Sequence, residues 1–347
     1  MPDPIFRLPP DWELSAATVR TARTDWSIDF LGIVDLWRQF TGKNLRICVL
    51  DTGVDWKHPD LKDAIADAKD FTRSLSGPSD RAGHGSWCLS AIGARGKQTD
   101  PIHLRGILPE CTLFSGKVLG DSGTGNEETI GRGLEWAESI DAHIVSMSLG
   151  GPMMSEGLHS VFQKFVSRAS RFIVCAAGNA GRPNDVDYPA RWPESIRVGA
   201  NDKQGRPTNF SNKGELVDVF APGYQMLGCV PIDMGGYALM SGTSMACPCA
   251  AAVLGMALEK HLTLGGRTSL NTVEDARNHL RKSATDKGEY RLLNPAALIE
   301  SLKEPDKARE YKFFGATIHF PSVLGDSFSV LLPTDSVEKV ESLMRKP

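Results

Sequence analysis

Residues 241–250 read SGTSMACPCA. Ser244 stands two residues after Gly242 and opens a run of small and apolar residues, the pattern of a buried helix. Serine is favoured at a helix start, so Ser244 is either the polar cap of that helix or a nucleophile at its head. The second role gains from the helix amides, which favour negative charge nearby. Pro248 agrees with a helix beginning here, since proline is best tolerated in the first turn. Cap and nucleophile differ in what they need elsewhere. A nucleophilic serine requires a base, and the base an orienting acid.

Working outward, short apolar runs alternate with helix-like stretches. Residues 45–53 (LRICVLDTG), 113–120 (LFSGKVLG), 143–151 (HIVSMSLGG) and 171–179 (RFIVCAAGN) read as buried strands ending in glycine or polar residues. Between them lie 85–94, 128–141 and 156–170, the last two with apolar residues at helical spacing. This alternation predicts an α/β fold, a mostly parallel sheet with helices on both faces. In such folds working groups gather at the C-terminal edge of the strands. Asp51, Gly150 and Gly151, and Asn179 all fall there.

Two of these residues, and one more, are the partners a nucleophile needs. His84 lies between two glycines ahead of an apolar helix, and its bland alternative is a helix cap. Asp51 ends a buried strand, where an acid is costly unless paired; its bland alternative is a turn that binds backbone amides. Asn179 is either a turn residue that tolerates φ > 0 or an amide donor for an oxyanion, beside the backbone N–H at Ser244.

Composition removes other function classes. The 347 residues are 41% hydrophobic and 23% charged, with a net charge of −3, so nothing draws the chain to nucleic acid or acidic membranes. No run approaches the ~18 apolar residues of a membrane span. The N-terminal MPDPIFRLPPDWELS does not read as a secretory signal. The cysteines are Cys48, Cys88, Cys111, Cys175, Cys229, Cys247 and Cys249, an odd set mostly inside apolar runs and without metal-type spacing. A reduced, cytoplasmic protein is expected. Residues 1–24 and 306–347 fall outside the alternation. The latter predicts two strands, GATIHFPSV and SFSVLLP, then a helix with Asp335 as N-cap, Glu338 three residues on, and Val337, Val340 and Met344 as its apolar stripe.

The blocks VLDTGVDWKHPDL (49–61), GHGSWCLSAIGA (83–94), VSMSLGG (145–151), AAGNAG (176–181), YPARWPESIRVGA (188–200), NFSNKGELVDVFAPG (209–223) and SGTSMACP (241–248) resemble the subtilisin-like serine proteases, most of all their cytoplasmic members. The resemblance runs from about residue 26 to 304 and keeps the family order of Asp, His and Ser. It implies a three-layer α/β/α fold and endopeptidase activity on protein or peptide substrates, with no cofactor needed for the chemistry. It assigns Asp51 to orient His84, His84 as general base and acid, Ser244 as nucleophile and Asn179 to the oxyanion. Substrate binding falls to Leu119, Gly120, Gly123, Gly125, Ser148, Leu149, Gly150 and Gly151. Gly150 and Gly151 leave one wall of the main specificity pocket bare, which suits large apolar side chains. Asp121, Glu127 and Glu128 would add a mild preference for basic residues, or simply form a solvated acidic helix start.

The chain also departs from the family. Trp87 and Cys88 replace the usual histidine and small aliphatic residue; Cys247 replaces threonine or serine, and Cys249 histidine. Altered packing and sensitivity to thiol reagents are expected. Asp60 matches a position that often ligates structural calcium, but residues 95–106 (RGKQTDPIHLRG) are basic and lack the usual run of asparagine and small residues. The domains are thus a 1–24 extension, either a disordered terminus or an inhibitory propeptide with Ile5, Phe6 and Leu8 as anchors and Pro9–Pro10 as a rigid pair, a 25–305 catalytic domain, and a 306–347 β/α appendage. Rival readings are weaker. An aspartic protease using Asp51 and Asp121 leaves His84 and Asn179 idle. An α/β-hydrolase triad of Ser244, Asp286 and His319 lacks the strand before the serine. A catalytically silent binding module leaves a complete residue set unused.

Overall fold

The computed structural model describes residues 24–96, 104–153 and 155–303, with short strands at 6–7, 15–16, 309–313 and 316–320. The chain divides into two compact units, Met1–Leu302 and Lys303–Pro347. The first unit begins with β1 (Phe6–Arg7), β2 (Ser15–Ala16), α1 (Trp26–Phe30), α2 (Ile33–Leu36), β3 (Arg46–Asp51), β4 (Ile65–Asp70) and α3 (His84–Gly93). Next come β5 (Thr112–Lys117), β6 (Thr124–Gly125), α4 (Glu127–Ser139), β7 (Ile144–Met147), α5 (Glu156–Val166), β8 (Phe172–Ala176) and β9 (Ser195–Asn201). The unit ends with β10 (Val219–Pro222), β11 (Met226–Cys229), β12 (Tyr237–Met240), α6 (Thr243–Thr263), α7 (Val273–Ser283), β13 (Thr285–Asp286), β14 (Arg291–Leu292) and α8 (Pro295–Ser301).

Nine strands form one sheet in the order β13–β14–β10–β9–β8–β7–β3–β5–β4. All neighbours from β14 to β4 run parallel, and only β13 runs against β14. Side chains alternate across a strand, so β3 feeds two cores. Ile47 and Val49 join the apolar layer with α3 and α6, while Cys48 and Leu50 join that of α4 and α5. The result is three layers, α/β/α, as the alternation predicts. The strands read at 45–53, 113–120, 143–151 and 171–179 are β3, β5, β7 and β8, the middle of the sheet. The edge strand β4 (IADAKD) escapes that reading because it pairs on one side only and carries exposed charges.

Helix α6 is buried along most of its length, which its small residues Ala246 and Ala250–Ala252 allow. A Cβ on Gly255 would sit 2.5 Å from Leu108 Cδ1. Two expectations about its start are corrected. The N-cap is Gly242, at φ 155° and with no side-chain cap, and Ser244 lies inside the first turn. Pro248 lies in the second turn, not the first. Its missing N–H leaves the Ser244 carbonyl without a helical donor, and Ser148 Oγ–H donates to that carbonyl instead at 2.8 Å.

In the second unit, β15 (Arg309–Phe313) pairs antiparallel with β16 (Ala316–Phe320), the strand read in GATIHFPSV. SFSVLLP and the helix expected after Asp335 lie outside the described residues. Among the described residues, no helix is long and apolar enough to cross a membrane.

Candidate active site

Asp51 is the last residue of β3 and His84 the first of α3, and both are buried. Asp51 Oδ1 accepts from His84 Nδ1 at 2.8 Å and from the Thr52 amide at 2.7 Å. A bond from Nδ1 to the acid leaves Nε2 as the imidazole's working nitrogen.

The sequence reading missed what holds these two elements in register. Thr52 Oγ1 accepts from the Gly85 amide at 2.9 Å and donates to Asp80 Oδ1 at 2.8 Å. Asp80 Oδ1 also accepts from the Ala82 and Gly83 amides, and its Oδ2 from the Ser86 amide at 2.8 Å. The first turn of α3, whose N-cap Gly83 has no side chain, is thereby capped from outside by Asp80 and Thr52. The signal was present as DTG and as Asp80 four residues before His84, but neither motif names its partner.

Ser244 reaches the same place from α6. Cys88, one turn after His84, puts its Sγ 3.8 Å from His84 Nδ1 and 3.7 Å from the Ser244 carbonyl. Ser244 Oγ donates to the Ser148 carbonyl at 3.3 Å. Burial, and then the Asp51 charge, push the Cys88 thiol well above its ordinary range. Burial raises Cys247 to about 11. All seven cysteines are free and buried. Protonated, enclosed thiols react poorly, so the expected sensitivity to thiol reagents has no exposed target. Trp87 fills the core, its indole N–H donating to the Ala238 carbonyl at 3.3 Å and its ring lying against Gly228, where a side chain would collide.

Asn179 follows β8. Its Oδ1 accepts from the Thr243 amide at 2.9 Å and the Thr243 hydroxyl at 2.7 Å. With the oxygen so engaged, the amide nitrogen is the side chain's remaining polar end. It faces Gly242, where a Cβ would sit 3.2 Å from Nδ2. The Ser244 amide belongs to the first turn of α6, whose N–H groups lack intrahelical acceptors. Two donors and a hydroxyl therefore meet at one helix head, the arrangement acyl transfer requires.

The candidate substrate segments flank this point. Leu119 to Gly125 leave β5 through a turn closed by Gly120 N–H to Thr124 O at 2.8 Å. Ser148 to Gly151 leave β7, and Gly151 exchanges backbone bonds of 3.0 and 3.1 Å with Tyr188. The acids once weighed for basic preference are engaged otherwise. Asp121 accepts from buried Lys117 at 2.6 Å, Glu127 from the Ser155 amide at 2.7 Å, and both Glu127 and Glu128 sit in the first turn of α4. Asp286 lies in β13 at the far edge of the sheet from Asp51, and His319 in the second unit.

A family model described as the subtilase family matches residues 42–296. The chain belongs to the subtilase family. Among its relatives, subtilisin E of Bacillus subtilis (strain 168) is 34% identical over 249 residues, covering 70% of this chain and 63% of the relative. A subtilisin of Bacillus pumilus is 34% identical over 249 residues, covering 70% and 87%. An intracellular serine protease of Paenibacillus polymyxa is 37% identical over 229 residues, covering 64% and 68%. The match thus spans under two thirds of subtilisin E.

The calcium expectation turns on Asp60 and the described residues around it. One carboxylate oxygen already accepts from the Tyr237 hydroxyl at 2.7 Å and the Leu104 amide at 3.0 Å. Among the described residues, the histidine, cysteine and acidic side chains grouped with Asp60 are His58 and Cys229, nitrogen and sulfur donors. Calcium takes six to eight oxygens. These residues do not fit it.

Proposed function

We propose that this subtilase is a serine endopeptidase. The observation that carries the reading is the buried Asp51–His84 bond of 2.8 Å at the helix that touches Ser244. Ser244 Oγ attacks the peptide carbonyl and passes its proton to His84 Nε2, while Asp51 holds Nδ1–H and stabilises the imidazolium. Asn179 Nδ2 and the Ser244 amide receive the oxyanion. His84 then protonates the leaving amine, and water completes the cycle. The substrate lies between Leu119–Gly125 and Ser148–Gly151 as an added strand. A fluorophosphonate probe tests this: the protein is expected to label at Ser244. An unlabelled, folded protein would make it the silent binding module.

Two backbone pairings support an inhibitory role for residues 1–24. Phe6 and Arg7 pair antiparallel with Gly125 and Thr124, inside a candidate substrate segment. Ser15 and Ala16 pair with Leu239 and Ala238 of β12, the strand that leads into Ser244. Extension and substrate would then compete for the Leu119–Gly125 edge. Deleting residues 1–24 is expected to raise initial activity and remove any lag, and a synthetic copy to inhibit the truncated enzyme. Equal rates from the first turnover would remove the inhibitory role.

Asp60 reads as a hydrogen-bonded strut where the family resemblance implies a cation. Thermal unfolding is therefore expected to be unchanged by a calcium chelator, whereas Tyr237→Phe, which strips a donor from a buried carboxylate, costs about 1–3 kcal/mol. A fall in Tm on chelation would restore calcium. Free, buried cysteines and the intracellular relative support a reducing, cytoplasmic location.

A further inference from the structure

Lys117 is a buried cation that the chemistry does not use. It ends β5 in register with Asp51 of β3, and its side chain is fully enclosed. A buried ammonium is costly unless each of its donors is met. Here three acceptors meet them: the Ser79 carbonyl at 2.7 Å, the Ser76 hydroxyl at 3.0 Å and Asp121 Oδ1 at 2.6 Å. The Ser76 hydroxyl in turn donates to Asp121 Oδ1 at 2.5 Å, which closes a triangle.

The triangle joins two parts of the site. Ser76 and Ser79 belong to the loop that runs from β4 to Asp80, the acid that caps α3 and so supports His84. Asp121 belongs to the turn after β5 to which the substrate strand is expected to add. That turn is fixed at its base, where the Val118 and Leu119 amides donate to the Asp51 carbonyl at 2.9 and 3.0 Å. Beyond Leu119 it closes on itself, through Gly120 N–H to Thr124 O and Gly123 N–H to Gly120 O, both 2.8 Å. Among the described residues, Asp121 is the side chain of this turn that bonds outside it. Loop and turn also lie close: a Cβ on Gly120 would sit 3.2 Å from Ser74 Oγ.

We propose that Lys117 and Asp121 are a positioning pair that holds the 119–125 edge in the geometry a substrate strand requires, an inference that rests on the endopeptidase reading above. An added strand binds through backbone bonds, so its affinity depends on edge amides and carbonyls that are already aimed. A turn tied only at its base has to be ordered by each substrate that arrives, and that cost falls on binding rather than on the chemical step. Lys117 supplies the enclosed anchor, while the Asp121 side chain is 39% exposed. Burial works against the Asp121 charge, yet the bonds from Lys117 and Ser76 hold its carboxyl below its ordinary range, so the tie is ionic at neutral pH.

The test uses the full chain and two substrates: a peptide with four uncharged residues before the scissile bond, and an ester of one such residue, which adds no strand. Asp121→Ala is expected to raise KM for the peptide about threefold to tenfold, the scale of a partly exposed ionic bond, with kcat little changed. KM for the ester should move by less than about twofold. Asp121→Asn, which keeps an acceptor, should fall between wild type and alanine. Ser76 lies outside the substrate segment, and Ser76→Ala should raise peptide KM in the same direction while sparing the ester. An unchanged peptide KM in either alanine variant overturns the inference, as does an equal rise for peptide and ester, or a fall in kcat in place of the rise in KM. A KM rise confined to peptides with Lys or Arg before the scissile bond also overturns it, by making Asp121 a direct contact for substrate cations. Each of these leaves the endopeptidase reading standing. Failure of the folded wild type to cleave either substrate, together with no fluorophosphonate labelling, overturns both.

Discussion

Ser244→Ala is expected to lower peptide cleavage by about 10⁶ in kcat while the fold survives, a scale set by subtilisin itself and carried over to this relative. The fold is expected to survive because the hydroxyl contributes little to it. Gly242, not Ser244, occupies the N-cap, and among the described residues Ser244 Oγ bonds to the Ser148 carbonyl alone, at 3.3 Å. Losing a bond of that kind costs about 1 kcal/mol. The Ser148 hydroxyl bond to the Ser244 carbonyl is backbone on the serine side and survives the substitution. Steady-state peptide assays with circular dichroism as the fold control decide the matter. An alanine variant that cleaves at the normal rate would remove Ser244 from the chemistry, whatever its neighbours.

The next largest effect is expected at Asn179. Asn179→Ala should lower kcat by about 10²–10³ with KM little changed, again on the scale of subtilisin's own oxyanion asparagine. The split between the two constants carries the argument. An amide that meets the oxygen only once it is charged acts on the transition state, so kcat falls. The structure supplies a reason for its aim: Thr243 holds Asn179 Oδ1 with two donors, which turns Nδ2 toward Gly242 and the head of α6. A roughly tenfold rise in KM at constant kcat would make Asn179 a substrate-binding residue instead.

Much of the fold was legible because its central strands are covered on both faces. Such strands read as unbroken apolar runs, and β3, β5, β7 and β8 were found that way. Strand β4 was not, since an edge strand with exposed Asp67 and Lys69 alternation resembles a loop. The head of α6 was read one step wrong for a related reason. Serine and proline have strong average preferences at helix starts, and here a glycine with an unusual φ takes the cap while Ser148 satisfies the carbonyl that Pro248 leaves open.

The order of Asp51, His84, Asn179 and Ser244, each at the end or start of an apolar segment, is a property of the sequence alone. So is the alternation that builds the sheet, because side-chain period and strand burial are written locally. Which acid serves which base is not. Asp51 and Asp121 both stand in Asp-x-Gly motifs, yet Asp51 meets His84, 33 positions away, and Asp121 meets buried Lys117. Asp80 reads as a loop acid until the fold lays four donors around it. A carboxylate's role depends on the donors, cations and water within a few ångströms of it, and those neighbours arrive from segments that only chain folding brings together.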